Sequence, residues 1–154
     1  MKKRLALFVL VLCIAPVLSA QESLKDVVRE YQQKNSEFTM VVPRFLLKMG
    51  LAYGDLDEAE RDVLKQIDHM KIVISDNGFF GDEMSMLDDG IKKGQFKEIM
   101  TVYDQKDKVR MVYNQKNERK SELLMLVEDG SEHVMILMNI NGKPDFSKFM
   151  VLAD

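Results

Sequence analysis

Two uninterrupted apolar runs in the last third of the chain constrain its fold most strongly. Residues 123–127 (LLMLV) and 134–138 (VMILM) are each five apolar residues long, and residues 128–131 between them (EDGS) have the composition of a tight turn. A strand with one solvated face alternates apolar and polar residues, and neither run alternates. We therefore predict a hairpin inside a sheet that is covered on both faces.

Four side chains of this hairpin form our candidate apolar interface. Side chains alternate between the two faces of a sheet along each strand. The face opposite to that of Leu123 and Val134 therefore carries Leu124, Leu126, Met135 and Leu137. Four such side chains left in water would forfeit about 6–12 kcal/mol, which is comparable to the whole stability of a domain. Helices on both faces, a second protomer or an apolar ligand would each cover them. We favour helices on one face, and helix ends or a partner on the other.

The first 20 residues have the composition of a secretory signal peptide. Three basic residues precede an apolar stretch that is too short to span a membrane, and small residues lead up to Gln21. We expect cleavage there to leave one domain, residues 21–154, without a transmembrane segment. Cys13 follows Leu12, where a lipoprotein signal requires a small residue, so we do not expect lipidation. The predicted location is the periplasm or the outer envelope.

Charge and cysteine content exclude several classes of function. Without the leader the basic residues fall from 22 to 19 against 25 acidic ones, a formal net charge of −6. An acidic chain without a basic stripe argues against nucleic acid as a partner. The one cysteine leaves with the leader, so the domain has neither disulfides nor thiol chemistry.

Periodicity and breaker residues indicate an α+β domain. Capping boxes at residues 23–26 and 57–60 mark two helix starts. Strand, helix and strand within a short span suggest a right-handed crossover and a parallel pair, followed by a four-stranded antiparallel meander. In order, we predict helix 23 to about 32, strand 38–42, helix 43 to about 49, a break at 50–55, helix 57–67, strand 70–75, helix 82–93, strands near 98–103, 109–114, 122–127 and 133–140, and a short helix after Pro144.

Three segments resemble one known family. Residues 96–102 (FKEIMTV), 121–127 (SELLMLV) and 140–148 (INGKPDFSK) are similar to the packing and turn patterns of domain-of-unknown-function family 4252, and the likeness extends over the whole mature chain. Pro144 stands where that family more often has an aliphatic residue. The resemblance implies export into a Gram-negative envelope and an α+β fold, and it implies no reaction and no catalytic residues.

The sequence contains no recognisable catalytic or metal motif. His69, in the predicted turn before the second strand, and His133, at the start of the last strand, have no partner at ligand spacing, so we expect both to be exposed at strand edges. The acidic run at residues 55–62 has glutamate where a calcium loop requires glycine. We therefore predict no cofactor, no metal and no catalytic residues.

Methionine is unusually frequent, at 11 of the 134 residues that follow the leader. Residues 84–86 (MSM) and 135–138 (MILM) would be soft ligands for copper(I). Adaptable core packing and an adaptable binding surface are the other interpretations, and we favour the core.

These observations favour a non-enzymatic binding or interaction module of the cell envelope that uses an apolar sheet face. Its partner would be a second copy of the chain, an envelope protein or an apolar small molecule. Two alternatives remain open. One is a small periplasmic hydrolase that combines acids of residues 82–89 with His69 or His133. The other is an accessory protein in envelope-stress signalling.

Overall fold

The computed structural model describes residues 23–35, 37–79 and 81–150 of the chain. The predicted leader, residues 1–20, lies outside the described residues. The described elements are α1 (Leu24–Asn35), β1 (Phe38–Val42), α2 (Arg44–Tyr53), α3 (Glu58–Gln66), β2 (Ile67–Ser75), α4 (Asp82–Lys92), β3 (Lys97–Asp104), β4 (Asp107–Asn117), β5 (Lys120–Asp129), β6 (Glu132–Asn141) and α5 (Phe146–Met150).

The described strands form one antiparallel sheet in the order β1-β2-β6-β5-β4-β3. The predicted α+β class is confirmed. The last four strands follow one another across the sheet, but β6 also pairs with β2, so the predicted separate meander is part of a six-stranded sheet.

The predicted parallel pair is wrong, because β1 and β2 are antiparallel neighbours with Phe38 opposite Ile74. A single crossover helix returns the chain to the end of the sheet where the first strand began, which makes the next strand parallel. Here α2 and α3 both lie between the strands, so the chain travels back and then forward again. The predicted break at residues 50–55 also begins too early. Helix α2 continues to Tyr53, and the Gly54 N–H donates to the Gly50 carbonyl at 2.8 Å.

Helix starts agree with the capping boxes read from the sequence. At the start of α3 the Asp57 carboxylate accepts from the Glu60 N–H, and the Glu60 carboxylate accepts from the Asp57 N–H. Before α1 the Ser23 N–H donates to Asp26 at 3.1 Å, and the Asp26 N–H donates to the Ser23 hydroxyl at 3.3 Å. Each pair satisfies N–H groups that a helix start leaves without partners.

The sheet has two faces, and helices of the chain pack on both. Helices α1 and α4 cover the first face, whereas α2, α3 and α5 lie on the second. Leu124 belongs to the first face, its neighbour Leu123 belongs to the second, and both are fully buried. The hairpin is therefore covered on both faces at Leu123 and Leu124, as predicted, whereas Val127 and Val134, further along the same strands, are partly exposed. The core of the first face contains Leu24, Val27, Val28, Tyr31, Val73, Leu87, Phe96, Val112, Leu124, Leu126, Met135 and Leu137, and that of the second contains Leu47, Val63, Ile67, Met111, Leu123, Met138, Ile140 and Phe149.

Candidate functional site

The four residues of the predicted apolar interface lie in the core of the first face. Leu124, Leu126, Met135 and Leu137 are 0–3 % exposed, and they pack beneath α1 and α4 of the same chain. Their cover is therefore intramolecular, and a partner reaches them only if those helices move away. The apolar surface that remains open belongs to the opposite set of side chains.

The second face carries an apolar row that crosses the whole sheet. Cross-strand neighbours lie on the same face, so the pairing register identifies its members. We call these six residues the open row. From β1 to β3 they are Phe38, Ile74, Val134, Val127, Val109 and Val102. Phe38 and Val102 are exposed, the others are partly exposed, and none belongs to a core cluster of the described residues.

Burial on the second face changes progressively along the strands. The row that contains Met138 and Leu123 is closest to the helices, and both of these residues are buried. In the next row Ile136 and Met125 are partly exposed, whereas Met111 is buried. The open row follows, and no described helix packs on it. The three helices therefore cover one end of this face and leave the other end to another occupant.

A groove lies where the covered end meets the uncovered one. It has a volume of about 330 Å³ and runs between α3 and the sheet. Leu64 lines it on the helix side, whereas Met125 and Ile136 line it on the sheet side. Among the described lining residues, Glu60 is the charged one. The groove extends the apolar character of the open row toward α3.

Helix α2 is apolar on the side that points away from its own sheet. Leu47 faces the sheet and is buried. Phe45 and Met49 lie two residues on either side of it, and a separation of about 200° places them on the outer side of the helix. The outer stripe of α2 consists of Phe45, Leu46, Met49 and Tyr53, which are 62 %, 43 %, 53 % and 87 % exposed. A helix that is apolar on both sides is typical of one that is buried on both sides.

The outer stripe of α2 and the open row are flanked by charges of opposite sign. Helix α2 contains Arg44 and Lys48 and no acidic residue. Beyond the open row, the strand ends carry four exposed carboxylates on the same face, in two cross-strand pairs. They are Asp104 opposite Asp107 and Asp129 opposite Glu132. The uncovered end of the sheet is therefore acidic at its rim, and the outer helix is basic.

The histidines and acids considered for hydrolysis have other partners. His69 lies inside β2 rather than in a turn before it, and its Nδ1 is 3.1 Å from Asp68. His133 is the second residue of β6, and its ring packs edge-on against Phe79. His133 therefore stands at the start of the last strand, as predicted, and is partly buried, whereas His69 is exposed within β2.

Two carboxylates of α4, those of Asp82 and Asp88, are paired with cations. Asp82 accepts from Lys34 at 2.9 Å, and Asp88 accepts from Arg110 at 2.8 Å. Among the described residues no three histidine or acidic side chains are arranged to hold a metal ion. The arrangement gives the carboxylates of Asp82 and Asp88 a structural role in joining α4 to α1 and to the sheet.

Of the methionines that were considered as copper(I) ligands, Met135 and Met138 lie on opposite faces of the sheet. Met135 belongs to the core of the first face and Met138 to the core of the second. Met84 and Met86 pack against the first-face core from α4. Met135 and Met138 therefore do not converge on one ion, and all four of these side chains contribute to packing.

A buried carboxylate that the sequence analysis did not single out holds α1 on the first face. Glu122 is 1 % exposed, its Oε2 accepts from the Leu24 N–H at 3.1 Å, and its Oε1 is 2.8 Å from Lys116 Nζ. The polar cavity beside it, of about 390 Å³, is also lined by Lys25 and Lys120. Glu122 stands in the polar flank before an apolar run, and only the fold shows that α1 begins above it.

Comparison with known proteins gives the family. No described helix is long and apolar enough to cross a membrane. No curated protein matches the chain. The model of one family, described as domain of unknown function DUF4252, matches residues 31–152. These residues include the C-terminal part of α1, from Tyr31 to Asn35, and every other described helix and strand. The chain therefore belongs to the DUF4252 family.

Proposed function

We propose that this protein is a non-enzymatic interaction module that docks a protein partner on the uncovered end of its second sheet face. The open row is the observation that carries the proposal. Monomeric soluble proteins rarely expose contiguous apolar patches beyond a few hundred Å², and larger patches mark interaction sites. The sheet is kept in shape by cores on both of its faces, so the surface is preformed.

The shape of this surface favours a protein over a small molecule. Six strands spaced by about 4.8 Å give the open row a length of about 24 Å. Small-molecule sites are concave and enclose most of the ligand, whereas a row on a sheet face is extended and shallow. The groove beside α3 is at the small end of ligand pockets, and the open row continues well beyond it.

We also propose that the module works in the cell envelope after export. The charged, apolar and small-residue regions of residues 1–20 support this placement. Mass spectrometry of the protein recovered from the envelope fraction of a Gram-negative host is expected to find a chain that begins at or within one residue of Gln21. An uncleaved chain in the cytosol would contradict export.

Photo-crosslinking in producing cells tests the docking surface. A benzoylphenylalanine at Phe38, which is 53 % exposed in the open row, is expected to give a covalent adduct with a protein. The matched control is the same group at Tyr103, which is 71 % exposed on edge strand β3 and points to the other side of the sheet. Adducts of equal yield at both positions, or none at Phe38, would refute the docking surface.

A further inference from the structure

We infer that the partner on this surface is a second copy of the same chain, with the outer stripe of α2 from each copy lying on the open row of the other. The inference rests on the proposed function and names its partner. It follows from three properties of the second face, which are its half-covered shape, its charge distribution and its apolar area.

The shape of the second face is complementary to itself. A helix layer about 10 Å thick covers one end of this face, and the other end is bare. A two-fold axis that runs between the sheets and across the strands places the covered end of each copy over the bare end of the other. The helices then share one layer between two sheets. Leu47 of α2 contacts its own sheet, and Phe45 and Met49 contact the partner copy.

A two-fold axis along the strands does not give this fit. It would stack one helix layer on the other and hold the two open rows about 20 Å apart, because each layer is about 10 Å thick. A two-fold arrangement repeats every contact twice, as closed dimers require. The half-covered face therefore selects one orientation.

Charge complementarity agrees with that orientation. It brings Lys48 of α2, a helix that packs on β2, toward the end of the adjacent strand β6 in the other copy, where Glu132 is exposed. Each dimer would contain this pairing of basic helix and acidic rim twice. Opposite charges at the rim of an interface steer the encounter and fix its register.

The apolar area is sufficient for a stable dimer. Large side chains present about 150–250 Å² each, so the exposed fractions of the α2 stripe correspond to about 500 Å². Phe38 and Met40 are 53 % and 42 % exposed, and the partly exposed strand residues add further area. The total approaches the roughly 800 Å² that each partner buries in a standard interface.

Sedimentation of the purified full chain tests the dimer. We expect a species of twice the mass of the purified chain at micromolar concentration. Phe45→Glu is expected to weaken the dimer by roughly three orders of magnitude, because the charge is placed in the contact twice. Tyr103→Glu, at an exposed aromatic on the other side of the sheet, is expected to leave the dimer intact. Circular dichroism verifies that both variants remain folded. A monomeric wild type, or equal effects of the two substitutions, would overturn the inference.

Crosslinking of mixed single-cysteine chains tests the orientation. A Met49→Cys chain mixed with an Ile74→Cys chain is expected to give a heterologous adduct with a short bis-maleimide, because a two-fold axis across the strands keeps α2 over β2 of the other copy. The control mixture of Met49→Cys and Tyr103→Cys chains is expected to give none. Adducts only between two Met49→Cys chains would overturn the arrangement.

The two proposals fail in distinguishable ways. If the purified chain is monomeric and benzoylphenylalanine at Phe38 captures a different protein, the second copy is refuted and the docking surface stands. If position 38 captures nothing and the chain is monomeric, both are refuted. An adduct whose mass is that of two copies supports both.

Discussion

For the substitution Gly90→Ala, helix propensity and packing predict changes of opposite sign in the free energy of unfolding. Gly90 is a buried residue in the last turn of α4. A Cβ atom placed there would lie 2.3 Å from Cδ2 and Cε2 of Phe96, a residue that is 3 % exposed. The carbonyl of Gly90 also accepts from the N–H groups of Gln95 and Phe96, at 2.9 and 3.1 Å. The ring is therefore held against the glycine by both its backbone and its packing.

The size of the stability change that Gly90→Ala causes follows from this geometry. Alanine is better than glycine in a helix by roughly 0.5–1 kcal/mol. The ring must move by about 1 Å or more to restore ordinary contact, and overpacking of a close-packed core costs typically about 1–3 kcal/mol. We expect Gly90→Ala to lower the free energy of unfolding by about 1–2 kcal/mol in urea titrations.

Gly50 of α2 is the matched control. Apart from the backbone of its own helix, nothing lies within 4 Å of the position that a Cβ atom would take at Gly50. Gly50→Ala is therefore expected to raise stability by about 0.5–1 kcal/mol, because only the helix propensity changes.

A double-mutant cycle isolates the contact. In a Phe96→Ala background the ring is absent, so Gly90→Ala is expected to become neutral or stabilising. The coupling free energy between the two positions is then about 2 kcal/mol. If Gly90→Ala stabilises the wild type, or has the same effect in both backgrounds, the close approach of Phe96 does not determine the residue at position 90.

Three further predictions concern other parts of the fold. Leu124→Ala is expected to lower the free energy of unfolding by about 3 kcal/mol and Val127→Thr by about 1 kcal/mol, because only the first is fully buried in its own chain. Equal losses in urea unfolding would contradict the assignment of the two faces. Glu83→Met is expected to raise the free energy of unfolding by about 1–3 kcal/mol, because both carboxylate oxygens of Glu83 are buried without a hydrogen-bond partner in the described structure. A lower free energy of unfolding would show that these oxygens have a partner. The pKa of Asp62 is lowered from 3.8, chiefly because Lys148 Nζ donates to it at 2.6 Å, so this pair stabilises the fold above pH 3.8 and its contribution is lost as pH falls through the lower folded pKa. The stability advantage of wild type over Lys148→Met is therefore expected near neutral pH and absent at the acid end of an unfolding series; an advantage independent of pH would exclude the ion pair as its cause.

The hairpin and the apolar character of both its faces were predictable from sequence, because five consecutive apolar residues leave a strand with no polar face. The identity of the uncovered face was not predictable in the same way. Alternation assigns Leu124 and Val127 to opposite faces, but both sets are apolar. Which set meets helices of the same chain depends on where α1 and α4 pack, and that is decided by tertiary contacts such as the one between Glu122 and the Leu24 N–H.

The direction of β2 depended on how many helices separate it from β1. A crossover connection with one helix between β1 and β2 would make the two strands parallel. The two successive helices α2 and α3 make them antiparallel. The sequence did contain a signal for the second helix layer. Helix α2 reads RFLLKMGLAY, with apolar residues on every side, and a helix of that kind in a small domain indicates that its outer side also has a partner.

The distribution of methionine connects the composition to the proposed interface. Methionines of the second face and of α2 are Met40, Met49, Met70, Met100, Met111, Met125 and Met138, whereas α4 and the first face contribute Met84, Met86 and Met135. Within the second-face group, Met111 and Met138 are buried, and Met40 and Met49 are exposed. Methionine is flexible and polarisable, so it packs in a core and also adapts to a surface that is exposed before association and buried after it. The predicted core role therefore holds at the helix-covered end of the second face. Met49 on α2 and Met40 in the row next to the open row suit a surface that must be stable alone and must still accept a second copy.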